Sequence, residues 1–467
     1  MVHSTREKIS SQVESEINEL RGAEGLPFRE LLDGKKIATA LEAFGISFRD
    51  RIYNPYVTLC AFLSQITTSN DSSCEDAVSR VRADRVARGQ QPCSTDTSSY
   101  CKARGRIPEE VISQLARETG QDLHRQAQPG WLFKGRHTHI VDGSTVTMAD
   151  TDENQEEYPQ SSGQKKGLGF PILRFVIVLS LAVGTVLECA ISACKGKSTG
   201  EQSLFRKMWD VFQPGDIILA DRLYDAYRDI VLLKQRGVDS VFGKKQSRKC
   251  DFRLGRRLGP NDHIVVWTKP KYDSSRYGSK DEWESLPDSI EMREVRLTIR
   301  RPGYRTRQIV IVTTLLDAEE YSSSDLTDLF SQRWHCELDL RSIKRALGMH
   351  HLRCKTPEMV RKELWMHLLA YNLIRVRMAQ AAAVHNVLPR TLSFTAAKNH
   401  IANYAQHLRN ASGDKYRTIE SDMLLAIASC QVGKRPGRKE PRAVKKRQQK
   451  YSSLTKPRTQ ARKGLPA

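Results

Sequence analysis

Residues 329–344, LFSQRWHCELDLRSIK, place two acids, Glu337 and Asp339, among basic or titratable neighbours and one tryptophan. Two more acids lie on segments that read as strands, Asp142 in or just after the strand of HIVDGS and Asp221 at the close of GDIILAD. In an open α/β sheet, groups at strand ends face the crevice in which ligands bind. Carboxylate oxygens are what hard Mg²⁺ takes, and a pair of such ions clamps the attacking and leaving oxygens of a phosphoryl transfer. Taken singly, each acid also has an ordinary reading: Asp142 as the turn residue before Gly143, Asp221 as a helix N-cap.

At about 100° per residue, positions 330, 333, 337 and 344 fall within roughly 60° of one another on a single helix. Phe330, Arg333, Glu337 and Lys344 then share a face, which Arg341 joins. Leu329, Leu340, Ile343 and Leu347 form the adjacent apolar stripe that packs such a helix down. Asp339 falls on the opposite side and reads as a solvated acid, leaving Glu337 as the third candidate ligand. The competing explanation is i,i+4 pairing of Glu337 with Arg333 and Arg341, worth only about 0.2–0.5 kcal/mol per pair.

The elements that must carry these residues are legible in outline. RHTHIVDGSTVTMAD alternates as a strand does, and 150–168 reads as a polar loop. FPILRFVIVLSLAVGTVLECAIS has almost the length of a membrane span. Its β-branched content, Arg174, Glu188 and the Gly184-Thr185 break instead predict two buried strands joined by a turn. A helix (EQSLFRKMWDVF), the strand GDIILAD, a helix closed by Gly237 and the strand VDSVFG follow. This order predicts an α/β domain with a mixed sheet over 131–243, resumed over 321–385. Between them, 244–320 reads as a β-rich insertion opening on Lys244 and Lys245, with strands in HIVVWTKP, MREVRLTIRR and RQIVIVTTLL. The helix opening at Thr356-Pro357 is apolar on most sides and is expected against the sheet. A helical segment fills 386–432.

Residues 1–130 read as a helical DNA-binding domain. A helix, a polar break and a basic helix carrying Arg80, Arg82, Arg85 and Arg88 are compatible with a helix-turn-helix, with Arg82 and Arg85 as DNA contacts. A solvated basic face explains the same residues. Ser72 and Glu75 have capping-box spacing at the second helix. A further helix is expected from Pro108 to Gly120.

The 467 residues are too many for one compact core, and 75 Lys and Arg against 54 Asp and Glu give +21. A polyanionic partner, most often nucleic acid, fits this balance; a basic surface that only aids solubility is the alternative. The 433–467 tail holds thirteen of the cations and one acid and is expected to be disordered. Ten scattered cysteines without a CxxC pair, and no signal peptide at the start, read as reduced thiols in a cytoplasmic protein.

Taken in order, these motifs resemble bacterial insertion-sequence transposases of the DDE type, in the insertion sequence 4 subgroup with the Tyr-x2-Arg-x3-Glu-x6-Lys signature. Phe330-x2-Arg333-x3-Glu337-x6-Lys344 matches it, with Phe330 where the signature has tyrosine. HIVDGSTVTMADT, EEYPQ, GLGFP, ILADRLYD, TTLLDAEEY, HLLAYNLIR, NPYVTLCAFLSQ and SSYCKARGRIP also resemble the subgroup. The resemblance implies an RNase H-like core interrupted by the β-rich insertion. It implies that Asp142, Asp221 and Glu337 bind two Mg²⁺ ions, with Mn²⁺ as a substitute, and need no small-molecule cofactor. It also implies that Arg333 and Lys344, with Arg341, Phe330, Lys244 and Lys245 nearby, hold DNA phosphates. The implied reaction is cut-and-paste transposition. Hydrolysis at the transposon end frees a 3′-OH, which attacks target DNA, with a homodimer assembled on the terminal inverted repeats at the bacterial nucleoid. A catalytically inactive, transposase-derived regulator and a general RNase H-like nuclease are the alternatives. Trp267 reads as strand packing or a stacking platform for a displaced base, and Trp334 as helix packing, with a place beside DNA as the alternative.

Overall fold

A computed structural model describes residues 32, 34–48, 51–67, 73–273, 279–299, 307–409, 411–432 and 452–463. The chain divides into two compact units, one of 1–126, 183–187 and 341–432, the other of 127–182, 188–340 and 433–467.

The second unit is built on a mixed sheet. Its strands are β1 (Thr138–Met148), β2 (Ile172–Ser180), β3 (Val186–Ala193), β4 (Ile217–Ala220), β5 (Asp239–Gly243), β6 (Arg256–Gly259), β7 (Asp262–Thr268), β8 (Ser289–Ile299) and β9 (Arg307–Thr313). They lie in the order β3-β2-β1-β4-β5-β9-β8-β7-β6. β2 is antiparallel to β1, whereas β4 is parallel to β1 and β5 parallel to β4. Three leading strands, then two that return parallel through helical crossovers, make the RNase H-like core. The 170–192 run is the β2–β3 pair, turned at Gly184 with φ +78. From Phe175 to Ser180 every β2 residue is buried, which is why the run is apolar without alternation. The 150–168 loop is less irregular than expected, since Asp152–Glu157 forms a short helix capped by Thr151.

The insertion does not form a separate layer. β9 returns antiparallel to β5, with Val241 opposite Thr313, and β8, β7 and β6 extend the same sheet outward. Arg293 of β8 fastens it. Its guanidinium is fully buried, donates to both Asp262 carboxylate oxygens (2.8 and 2.5 Å), and donates to the Tyr321 carbonyl (2.6 Å).

The segment expected to carry positions 330–344 on a single helix is three pieces. Ser323–Ser331 carries a capping box between Ser322 and Asp325. Gln332 and Arg333 then tighten to i→i+3 hydrogen bonds, Gln332 to Leu329 and Arg333 to Phe330. Helix Trp334–Arg341 follows and widens to a π turn over Ser342–Ala346. The angular arithmetic from Phe330 to Lys344 therefore fails, because three different pitches separate them. Asp339 corrects the same estimate: it is 1% exposed rather than solvated.

The first unit is helical. Helix Pro357–Val384, capped by Thr356 with proline in its first turn, is buried over most of its length. Within this unit it packs on helices Glu109–Arg125, Pro55–Thr67, Phe394–Arg409 and Gly413–Ser429. Gly120 does not stop its helix, which runs to Arg125. Glycine is needed there for close approach: a Cβ would lie 2.0 Å from the Val186 carbonyl. Asn372 satisfies that exposed backbone, accepting from Val186 N and donating to Val186 O, both at 2.8 Å. At the basic helix Cys74–Ala87 the cap is Ser73, accepting from Asp76; Ser72 lies outside the described residues. Most of the 433–467 tail also lies outside them, although Arg458–Arg462 forms a helical turn. All ten cysteines are free thiols, and among the described residues no helix is long and apolar enough to cross a membrane.

Arg293→Met is expected to destabilise the protein by about 3–5 kcal/mol, because Asp262 stays behind as an unpaired, largely buried charge. Urea unfolding read at a sheet-unit tryptophan checks it; a change below about 1 kcal/mol would contradict the fastening role.

Candidate active site

The site starts from a register. In the parallel β1–β4 ladder the last pair is Val141 with Ala220. The next residue on each strand is an acid, Asp142 on one and Asp221 on the other. In-register neighbours on parallel strands point to the same face, so the ladder sets the two carboxylates side by side. Both are partly buried. Asp142 Oδ1 accepts from the Gly143 N–H (2.8 Å), and Asp221 Oδ1 accepts from the Leu223 N–H (2.7 Å).

Glu337 reaches this place through Arg333. The guanidinium lies 4.0 Å from Asp142 Oδ2 and 3.5 Å from Glu337 Oε1. The tightened turn at 332–333 is what aims it, since Arg333 belongs to neither flanking helix. Burial pushes the Asp142 carboxyl up to about 6, outweighing both the Gly143 hydrogen bond and the Arg333 charge, while Asp221 and Glu201 add repulsion. The acids are thus incompletely neutralised by the chain itself.

A fourth acid, Glu201, was not singled out from sequence. It opens the short helix Glu201–Arg206, and its carboxyl group rests on Gly143: a Cβ at position 143 would lie 2.5 Å from Glu201 Cδ. Burial, then Asp221, raises the Glu201 carboxyl against the pull of Arg174. In the sequence it looked like an ordinary first-turn acid. Tyr224 is the second residue missed. It is 1% exposed, its hydroxyl has no hydrogen-bond partner, and burial, with the Glu201, Asp142 and Asp221 carboxylates, keeps the phenol from ionising.

A cleft of about 750 Å³ adjoins Asp221, with Arg222, Lys245, Arg248, Phe330 and Arg333 in its walls. Of the cations expected there, Lys244 is corrected. Its ammonium is buried, bonded to Glu294 Oε2 (2.9 Å) and the Lys249 carbonyl (2.7 Å). Cys250 and His263 converge on the same Glu294, a grouping with metal-ligating types, but the Lys244 charge already compensates the carboxylate. Lys245 stays partly exposed and pairs with buried Asp225 (2.7 Å). Trp267 is strand packing: it donates to Glu294 (3.0 Å) and carries the Arg248 guanidinium over its ring at 4.0 Å. Trp334, expected to pack, is 39% exposed.

The other expected contacts lie in the helical unit. Lys344 sits half-buried in the π turn, where burial and then Arg345 lower its ionisation, and Arg341 is exposed. Arg82 donates to the Cys93 carbonyl and Arg85 to the Gln91 carbonyl (2.8 Å), so both fasten the 88–93 turn.

The donor set fits a hard divalent cation. It consists of clustered carboxylates that the chain leaves under-neutralised, a glycine cradle occupied by a carboxyl group, and an orphaned hydroxyl. Without metal, the Asp142 carboxyl titrates near 6 in the folded protein against about 3.9 unfolded. The folded state then holds the extra proton between those values, and stability falls as pH rises through the window. Asp142→Asn is expected to stabilise metal-free protein at pH 7.5 by up to about 3 kcal/mol and to have little effect at pH 4. Urea unfolding in chelator at both pH values checks this; equal effects at both would contradict it.

The model of the transposase DDE domain matches residues 134–373. The transposase InsG for insertion sequence element IS4 of Escherichia coli (strain K12) is 27% identical over 389 residues, covering 80% of this chain and 82% of that protein. A putative transposase InsL for insertion sequence element IS186A of the same organism is 35% identical over 65 residues, 14% of this chain and 18% of that one. Among solved structures, the piggyBac transposase synaptic complex with hairpin DNA aligns with a TM-score of 0.40 at 9% identity, over 84% of this chain and 81% of that chain.

Proposed function

The chain belongs to the transposase DDE domain family, and on that premise we propose that Asp142, Asp221 and Glu337 are its catalytic carboxylates. It is a DNA transposase, an enzyme that cleaves DNA, transfers strands and uses a divalent metal. The observation that carries the assignment is the β1–β4 register that sets Asp142 beside Asp221, with Arg333 joining Asp142 to Glu337.

The three carboxylates would hold two Mg²⁺ ions, which, when bound, supply charge neutralisation to the attacking and leaving oxygens of an in-line displacement. Asp142 and Asp221, fixed by backbone N–H groups, present their oxygens without reorganisation. Arg333, close to Asp142 and Glu337, would offer its planar fork to a DNA phosphate, which guanidinium grips bidentately. Phe330, buried beside it, supplies ring packing and no hydroxyl. Arg222, Lys245 and Arg248 along the cleft would track the DNA backbone. On the helical unit Arg341, Lys344, Arg82 and Arg85 are the proposed phosphate contacts; Lys244 is omitted because its charge is committed to Glu294. The substrates would be the element's terminal inverted repeats and target DNA at the nucleoid, acted on by a homodimer that brings two ends together.

Incubating the protein with its element's ends and Mg²⁺ is expected to give end cleavage and then strand transfer. Asp142→Ala, Asp221→Ala and Glu337→Ala should each lower cleavage at least 10³-fold while DNA binding persists. Asp339→Ala, at a buried position, should act through thermal stability instead. Cleavage that survives Glu337→Ala overturns the assignment; binding without any metal-dependent nicking overturns the enzymatic reading; and cutting of arbitrary DNA without strand transfer marks a nuclease.

A further inference from the structure

We propose that Glu201 is a fourth carboxylate of this cation site and that the Tyr224 hydroxyl completes it as a hydrogen-bond donor; the proposal rests on the catalytic reading above. Neither residue stands in the Asp142, Asp221 and Glu337 set, and neither is on the strands that define it.

Two independent observations carry the inference. The first is steric. Gly143 follows Asp142 directly, and the Glu201 carboxyl occupies the space its missing side chain leaves, with Cδ 2.5 Å and Oε2 2.6 Å from where a Cβ would stand. Glu201 is therefore held against the β1 backbone one residue from a site carboxylate. Helix Glu201–Arg206 keeps it there by packing on β2 through buried Leu204 and Phe205. The second is an unmet donor. Tyr224 is 1% exposed, and its ring is fixed edge-on to Phe205 at 5.2 Å. Its hydroxyl has no partner in the chain although Glu201, Asp142 and Asp221 all act on it electrostatically. A buried hydroxyl without a partner costs free energy, on the order of 1–3 kcal/mol, and is retained where something outside the chain satisfies it. The water shell of a cation held by these carboxylates would supply that partner, a water oxygen accepting from the hydroxyl.

Groups that orient metal ligands typically change metal affinity about 10–100-fold when removed. The test uses the full chain and Mn²⁺ alone, without DNA, following free Mn²⁺ by electron paramagnetic resonance. Glu201→Gln is expected to weaken Mn²⁺ binding about 10-fold and Tyr224→Phe about 3-fold, with DNA binding and melting temperature near wild type. Asp142→Asn serves as the reference and should weaken binding more than either. If Asp142→Asn weakens binding and Glu201→Gln does not, this proposal is overturned and the catalytic reading stands. If neither does, both fall. Should Glu201→Gln lower the melting temperature, Glu201→Asp decides. It keeps the charge, so partial recovery of Mn²⁺ affinity supports the proposal, and affinity equal to that of the Gln variant overturns it.

Discussion

The site depends on one constraint, the parallel pairing of β1 with β4. Once Val141 is opposite Ala220, the two following acids must stand together on one face of the sheet, where β4 ends. Two desolvated like charges repel, and the neighbouring structure answers that cost. Backbone N–H groups of Gly143 and Leu223 donate to them, and Arg333 stands between Asp142 and Glu337. The answer is incomplete, because burial still outweighs these contacts at Asp142 and holds its carboxyl near 6. A site neutralised by its own cations would have no affinity left for an added one, so the shortfall is what makes the cluster receptive.

The insertion shows how the same sheet serves a second purpose. Leaving at Gly243 and returning as β9 beside β5, it extends the core sheet instead of hanging from it. Arg293 on Asp262 and on the 317–321 carbonyls ties that extension to the segment leading into the Arg333 turn. The cations at its root divide accordingly. Lys244 is consumed in the interior with Glu294, while Lys245 and Arg248 remain along the cleft wall.

Strand content was readable because a buried strand in an RNase H-like sheet is a short apolar run bounded by turn residues. β2, β4 and β5 show that composition directly, as do the three longer insertion strands. The helical reasoning that singled out Glu337 only partly holds. A uniform helical pitch was assumed over 330–344, whereas the chain passes through a tightened turn and then a π turn. Such pitch changes depend on what the segment packs against, and no local residue signals them. For the same reason Asp339, on the assumed outer face, is buried. Glu201 escaped notice because its significance lies in its contact with Gly143, fifty-eight positions earlier in the sequence.

By itself the sequence determined the acids, the strand runs that carry two of them, the insertion between the second and third, and a cationic balance suited to DNA. These depend on residue type and short-range order, which the chain carries locally. Only the tertiary structure decided which acids meet, that Arg333 bridges two of them, that Lys244 is unavailable, and that the Glu201 carboxyl rests on Gly143. Those outcomes follow from strand register, backbone approach at a glycine and competition for buried charge, all of which arise between residues far apart in the chain.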